Sequence, residues 1–448
     1  MDAKAQQLIK QYMKNKTFLV VEPTVAGKTA VEQMLKKTAV ARKNVQFAKN
    51  VEMALEIMKS QKPNYVFTHD KLEDGNYKEL LEEHLKNHGN RLESGFILFS
   101  ENDSLDAVTK LAQSEIDCLV MLPYTVTSLQ SEFLKIVIPK TAPSEYTILV
   151  ESAREQMRFD LDKSLQTLAK AKKADKKPYE AFYLEGLVHV KSKGLEQART
   201  AFETSLKYHP KYYNSLKELF NIYMQLKERQ KAYRISSLMT EDFPVNPEMI
   251  PDLAWVSVAC AEYDDILSYH TAFKNVEEPD SDLKNYIAAS LTIYGKKILK
   301  DKYEGDKEVD SDLLERAYKL MDEASSICED KPLVYASLIQ ALKLSSNKQL
   351  MENVLKRAQN KFPKNKNIKV LEVIVNDEQL KPAESLKYAQ DALKSGLDSP
   401  EIHEIIIKRA IELGLPERVL EESLEAAIKS FPKLKSVFES LASSNKSE

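Results

Sequence analysis

Few stretches of this chain bring reactive side chains together at spacings that chemistry requires. The run EPTVAGKT, residues 22–29, carries the Gly-Lys-Thr of a phosphate-cradling loop. Such a loop needs an earlier glycine so that its backbone N–H groups can turn toward the anion. Glu22 heads this run instead, and its charge would repel phosphate. The run therefore reads as a strand end followed by a helix start, and no nucleotide site is expected. His84 and His88 are one helical turn apart, a spacing that can place two imidazoles on one metal. No third ligand is evident near them, so they read as a solvated helix face. His189, His209, His270 and His403 are scattered among helical segments, and Cys118, Cys260 and Cys328 show neither metal nor disulfide spacing. The cysteines read as small buried hydrophobes of a reducing compartment. No Ser/His/Asp set, paired catalytic carboxylates or cysteine nucleophile emerges. The expectation is a chain that is not an enzyme, with no catalytic residues, no cofactor and no metal.

The elements that would have to position any site come next. At 448 residues the chain is too long for one ordinary core. Its 43% hydrophobic and 30% charged content suits long solvated helices, and only 10 glycines argue against a mainly β architecture. A net charge of −3 makes no case for nucleic acid or an anionic membrane as partner. The N-terminal MDAKAQQLIKQYMKNK is polar, with no apolar run of signal-peptide type, and no stretch approaches the roughly 20 apolar residues of a membrane span. A cytoplasmic protein is expected.

Within residues 17–140 the short apolar runs TFLVVE, NVQFA, YVFTH, GFILFS and CLVML alternate with helical patterns near 24–38, 50–60, 76–88, 103–114 and 125–138. Strands buried on both faces by helices read in this way. Five such units make an α/β, doubly wound sheet of the flavodoxin-like (CheY-like) kind. Here the chain resembles the receiver domain of bacterial response regulators, chiefly in KPNYVFTHDKLEDGN and IDCLVMLPYT.

The resemblance implies particular chemistry at the strand ends. An acidic pair and an Asp would hold Mg²⁺, that Asp would accept phosphoryl, and a hydroxyl and a Lys would hold the phosphoryl oxygens. Matched one by one, the acidic pair falls on Glu22 and Pro23, so one carboxylate is lost. The phosphoacceptor position is His69, with Pro63 six residues before it and Leu72 three after. The hydroxyl position is Ser100. The Lys position is Leu122, ahead of Pro123, and the switch aromatic falls on Leu119. The implied domain is a degenerate pseudo-receiver that is not phosphorylated. A one-residue slip would make Asp70 the acceptor, at the expense of Leu72 and with Leu122 unexplained. Receivers also pair through a face that here would include Leu105, Val108, Tyr124, Leu129 and Phe133, some of which must instead face the sheet, so a homodimer through this domain is a further expectation.

After Pro139 the segment KTAPSEY breaks the pattern, and 141–144 reads as a linker. Beyond it, Gly186, Ala198, Phe202, Ser205 and Pro210 recur as Phe220, Ala232, Ser236, Met239 and Pro244, each 34 residues on. This is the period of a two-helix repeat, in which small residues allow close helix approach and prolines stop the second helix. The segment Ala181–Pro210 resembles a tetratricopeptide repeat (TPR), although Glu185 stands where that family usually has Leu. The frame extends back through Ser164, Leu168 and Ala171. The lysines from Lys163 to Lys177 read as a solvated face, with docking of an acidic partner surface as the alternative. Past Pro244 the period loosens, and Pro332, Pro363, Pro400 and Pro432 mark degenerate hairpins, eight or nine hairpins in all. The expected organisation is an N-terminal helix (1–16), the receiver-like domain (17–140), the linker, TPR repeats (145–274), degenerate TPR-like repeats (275–435) and a polar tail (436–448).

The resemblance implies an all-α, superhelical TPR-like solenoid whose first helices line a groove for a protein or peptide partner. By family position the groove residues are Glu180, Tyr183, Leu187, Val190 and Lys191 in one repeat. In the next they are Asn214, Lys217, Asn221, Met224 and Gln225. Lys217 and Asn221 match two members of the family's carboxylate clamp, but the neighbouring repeat offers Pro251, Asp252 and Trp255, so the full clamp is absent. A groove of this composition, weakly basic with one Tyr, argues against RNA. The reading is a bacterial-type, non-enzymatic signalling scaffold. The alternative is a phosphorylation-switched two-component regulator with the solenoid as output.

Overall fold

The computed structural model describes residues 3–101, 115–276, 278–303, 311–328, 330–343 and 347–443. The chain divides into two compact units, residues 1–246 and 247–448.

The first unit opens with α1 (Ala3–Met13), followed by β1 (Phe18–Val21), α2 (Val25–Lys37), β2 (Val45–Ala48), α3 (Val51–Gln61) and β3 (Tyr65–His69). A two-residue ribbon, Lys71–Leu72 against Gly75–Asn76, leads into α4 (Tyr77–Asn87), β4 (Gly95–Ser100), β5 (Cys118–Met121) and α5 (Val126–Thr141). All neighbouring strands are parallel, in the order β2-β1-β3-β4-β5, the flavodoxin-like arrangement. β1 and β4 are buried along their whole length, which is why their sequences are continuously apolar. One core layer joins Phe18, Tyr65, Phe67 and Phe99 to Met34 of α2 and Phe133 of α5. The other sets Leu19, Val66 and Phe96 against Met58 of α3 and Leu80 of α4. Each such fully buried side chain stabilises the fold by about 1.5–3 kcal/mol. The N-terminal helix is more than a polar extension, since Ile9 and Met13 enter the first layer.

The expected helix at 103–114 lies outside the described residues, as do Leu105 and Val108. Helix α5 continues past Pro139 to Thr141, which shortens the expected linker to 142–144. Its end is anchored by Lys140, whose Nζ lies 2.8 Å from Asp117 Oδ1 and donates to Ser94 O at 2.5 Å.

Helical hairpins complete this unit: α6 (Glu145–Gln156) with α7 (Leu161–Ala174), α8 (Tyr179–Lys191) with α9 (Leu195–Tyr208), and α10 (Tyr213–Gln225) with α11 (Arg229–Asp242). In the middle pair a Cβ on Gly186 would lie 2.4 Å from the ring of Phe202, so only glycine admits that contact. One repeat later the sizes exchange: Phe220 supplies the ring and Ser236 the gap, both buried. Ala198 and Ala232 are fully buried at the close helix approach. Ser205 donates to Tyr179 O at 2.8 Å and accepts from Ser215 at 2.9 Å, so this buried hydroxyl joins three helices.

The second unit runs α12 (Ile250–Ala259), α13 (Asp265–Lys274), α14 (Ser281–Tyr303), α15 (Ser311–Ile327), α16 (Pro332–Lys343), α17 (Lys348–Lys361), α18 (Lys366–Gln379), α19 (Pro382–Lys394), α20 (Pro400–Glu412), α21 (Glu417–Ser430) and α22 (Lys435–Ser443). Consecutive helices pair as TPR-like hairpins, and Gly295 repeats the close-approach device, since a Cβ there would fall 2.7 Å from Met321. Residues 436–443 of the expected tail are helical instead: Phe438 of α22 is fully buried against Ile407 and Ala427. Its apolar spacing was hidden by the surrounding serines and lysines. No helix among the described residues is long and apolar enough to cross a membrane.

Candidate functional site

The carboxyl ends of β1, β3 and β4 bring Glu22, His69, Asp70 and Ser100 to one edge of the sheet. Glu22 follows β1 and is 2% exposed. Its Oε2 accepts from His69 Nε2 at 2.6 Å, while Oε1 accepts from the backbone N (2.9 Å) and hydroxyl (2.7 Å) of Thr24. Thr24 in turn caps α2 by accepting from Gly27 N. A Cβ at Gly27 would strike the Glu22 carboxylate, so glycine there makes room for the buried acid. Burial opposes ionisation of Glu22, but the bonds from His69 and Thr24 outweigh it and hold the carboxyl below its ordinary value. His69 ends β3 and lies against the Phe99 ring, centroids 5.3 Å apart. Ser100, fully buried, donates to Asp70 Oδ2 at 2.7 Å. Pro23 is exposed and contributes no carboxylate. Leu122 follows β5, donates its backbone N to Ser100 O at 2.9 Å and packs on the core.

Four side chains of the edge thus meet in two pairs: imidazole on carboxylate (His69–Glu22) and hydroxyl on carboxylate (Ser100–Asp70). No ammonium comes from the Leu122 position, and no cluster of three or more metal-ligating side chains occurs among the described residues. Of the expected dimer face, Leu129 and Phe133 are fully buried under the sheet, and Tyr124 lies against Phe99, centroids 5.0 Å apart. Periodicity alone could not say which side of α5 meets the strands.

His84 departs from the expected solvated face. It is fully buried beside Phe96, ring centroids 5.7 Å apart, and neither ring nitrogen has a hydrogen-bond partner among the described residues. Burial first, then the charges of His88 and Arg91, lower its pKa to about 3. His88 is held instead by the Pro63 carbonyl, 2.9 Å from Nε2. The two imidazole rings lie with centroids 5.0 Å apart.

On α8, Glu180 bonds Arg154 at 2.7 Å, and burial, against the pull of Arg154, keeps it above the ordinary carboxyl value. Tyr183 is buried between Phe202 and Tyr212, so it builds the hairpin instead of lining an open face. Leu187 and Val190 are half-buried and Lys191 is exposed. On α10, Asn214, Lys217, Asn221 and Met224 are half-buried and Gln225 is exposed. Glu218 is hydrogen-bonded by Asn221 and attracted by Lys217, so a carboxylate of this chain already stands beside both clamp residues. Of the lysine run, Lys163, Lys170 and Lys173 are exposed, and Lys172 pairs with Glu185 at 2.5 Å. Pro251, Asp252 and Trp255 lie on α12 in the second unit.

Sequence patterns missed two polar clusters. In the first unit Arg91 pairs with Asp117 at 2.5 Å and Glu115 at 3.1 Å, and its backbone N donates to Glu151 of α6 at 2.7 Å. Arg154 then carries the chain of charges to Glu180. This ties the sheet to the first hairpin, where a flexible joint was equally compatible with the sequence. In the second unit Asp377 is buried on α18, bonded by Arg409 Nε at 2.6 Å and Ser385 Oγ at 2.5 Å. Its position four residues after buried Val373 was the available signal.

No family model matches the chain, and no curated protein matches it. Among solved structures it is similar to a tetratricopeptide repeat protein from Parabacteroides merdae, at 14% identity over 63% of this chain and 98% of that one, TM-score 0.29. It is also similar to a chain of Naa15/Naa10 bound to HypK-THB, at 13% identity over 70% of this chain and 48% of that one, TM-score 0.37. A third is the assembly chaperone of RpL4, Acl4, at 12% identity over 63% of this chain and 99% of that one, TM-score 0.21. Likenesses this distant carry no argument, and the architecture stands on the strand order and hairpin pairing of the chain itself.

Proposed function

We propose that the chain is a cytoplasmic, non-enzymatic scaffold. Its hairpins bind a protein or peptide partner along the first-helix faces, and its α/β domain is a phosphorylation-independent second interaction module. The observation that carries this reading is the Glu22–His69 pair. Phosphoryl transfer at this edge would need free carboxylate oxygens for a divalent cation and a cationic side chain for the phosphoryl oxygens. Both Glu22 oxygens already have donors, and Leu122 has no charge to give. A second reading, a phospho-switched regulator with Asp70 as acceptor, draws on the Asp70–Ser100 contact alone.

Acetyl phosphate with Mg²⁺ separates the two by intact mass. No added phosphoryl mass is expected, and a phosphoryl group mapped to Asp70 overturns the reading. Cross-linking of the full chain in cytosol tests the docking part. Partner cross-links should fall on first-helix lysines such as Lys191 and Lys217. Cross-links confined to the α/β domain would remove the hairpins as the docking surface. Light scattering checks self-association, where a strict monomer at micromolar concentration excludes the homodimer.

A further inference from the structure

Residues 158–177, from the turn before α7 to the turn after it, hold six lysines and one arginine against three aspartates, in a chain whose net charge is −3. Lys163, Lys170, Lys173, Lys176 and Lys177 are all exposed, and none of their ammonium groups has an ion-pair or hydrogen-bond partner among the described residues. By contrast Lys135, Lys319 and Lys356, exposed on other helices, pair with Glu132 at 2.6 Å, Glu315 at 2.6 Å and Glu352 at 2.7 Å. Around α7 the acids serve the backbone instead. Asp160 accepts from Lys163 N at 2.9 Å, and Asp175 accepts from Lys177 N at 2.7 Å.

Helix electrostatics do not account for this charge. A cation is favoured in a last turn, which suits Lys172 and Lys173. Lys163 stands in the first turn of α7, and Lys176 and Lys177 immediately precede α8, where the positive end of a helix repels them. Lys163, Lys170 and Lys173 share one face of α7, and like charges three residues apart are unfavourable. An apolar group heads this face. Phe159 directly precedes Asp160, the N-cap of α7. A side chain there commonly packs on the fourth helical residue, which here is Ser164, buried and donating to Ala153 O at 2.9 Å. Phe159 is left 80% exposed, with the Arg158 guanidinium 5.6 Å from its ring centroid.

We propose that this exposed face of α7 docks an acidic segment of a partner protein, its carboxylates on the lysines and one apolar side chain on Phe159. The surface is separate from the first-helix faces, so the inference goes beyond the docking described above. The chemistry favours a protein over other polyanions. Single-stranded nucleic acid takes aromatic platforms among the cations, and a bilayer takes several bulky apolar side chains beside them. Apart from lysines, the exposed positions of α7 are Asp162, Gln166, Ala169 and Ala174, which offer neither. The helix spans about 21 Å, a length that nine extended residues cover.

The test uses the full chain and fluorescence anisotropy with a labelled nonapeptide, four glutamates on each side of a leucine. The same peptide with glutamine for glutamate, oligouridylate and phosphatidylserine vesicles are the comparisons. The glutamate peptide should bind, and Lys170→Gln/Lys173→Gln/Lys176→Gln/Lys177→Gln should weaken it about tenfold. Lys135→Gln/Lys319→Gln/Lys356→Gln/Lys435→Gln removes as much charge from paired lysines and should leave binding unchanged. Phe159→Ser should weaken it about fivefold. All of these positions are exposed, so the fold is kept. No binding of the glutamate peptide, equal binding of the glutamine peptide, or equal losses in the two quadruple variants overturns the proposal. So does undiminished binding in Phe159→Ser, or tighter binding of the RNA or the vesicles through the same lysines. Failure here leaves first-helix docking standing, because that is judged by cross-links at Lys191 and Lys217. Partner cross-links confined to the α/β domain would sink that docking and leave the peptide result intact.

Discussion

Glu22 at the end of β1 and Asp377 on α18 are both buried carboxylates held by a nitrogen base, and they differ in what is left over. His69 and Thr24 satisfy both oxygens of Glu22, and the neighbouring Ser100 hydroxyl bonds Asp70. At Asp377 two donors converge on one oxygen and leave the other without a partner among the described residues. Where a fold brings parallel strand ends together, short loops let polar side chains reach each other across the edge. Where helices stack in a row, a buried acid meets only what the next helix presents, and an acceptor can remain unmatched. The first arrangement leaves no acceptor over, and the second leaves one buried without a donor among the described residues.

The comparison breaks most severely at Arg409. Arg409→Met would leave Asp377 charged and buried with a hydroxyl alone, a loss of about 3–5 kcal/mol. Urea denaturation of the full chain reads this, and a loss under about 1 kcal/mol would mean the ion pair does not hold α18 to α20. The next largest effect sharpens what a closed core costs. His84 is kept neutral by burial, with its pKa down from 6.5 to about 3. The unfolded chain takes up that proton first, so the stability present above pH 6.5 is lost as pH falls toward the folded value. The slope is about 1.4 kcal/mol per pH unit, and His84→Phe should remove it in urea titrations at pH 7 and pH 5. A third variant tests shape in place of charge. Gly186→Ala pushes a methyl into Phe202, with an expected loss of about 1–3 kcal/mol, while Ala at the size-exchanged position, Ser236→Ala, should be close to neutral. The smallest effect is Ser100→Ala, about 1 kcal/mol. A larger loss would show that Asp70 depends on that hydroxyl more than a single hydrogen bond allows.

Much of this architecture was legible in the chain. The five apolar runs are the five strands, because strands covered on both faces must be apolar throughout. The 34-residue spacing of Ala198 and Ala232 marks consecutive hairpins, because close helix packing excludes large residues at one point in each repeat.

Tertiary structure alone decided the rest. Periodicity tells which stripe of a helix is buried and leaves open what stands opposite. Hence His84 became core, Leu129 and Phe133 turned to the sheet, and Tyr183 closed into its hairpin. Arg91, Asp117 and Arg154 are far apart in sequence and meet only because the sheet and first hairpin pack together. Phe438 is buried because α22 finds α20 and α21 beneath it. The burial of Asp377 depends on the approach of three helices, and no local pattern encodes the direction from which a donor will come.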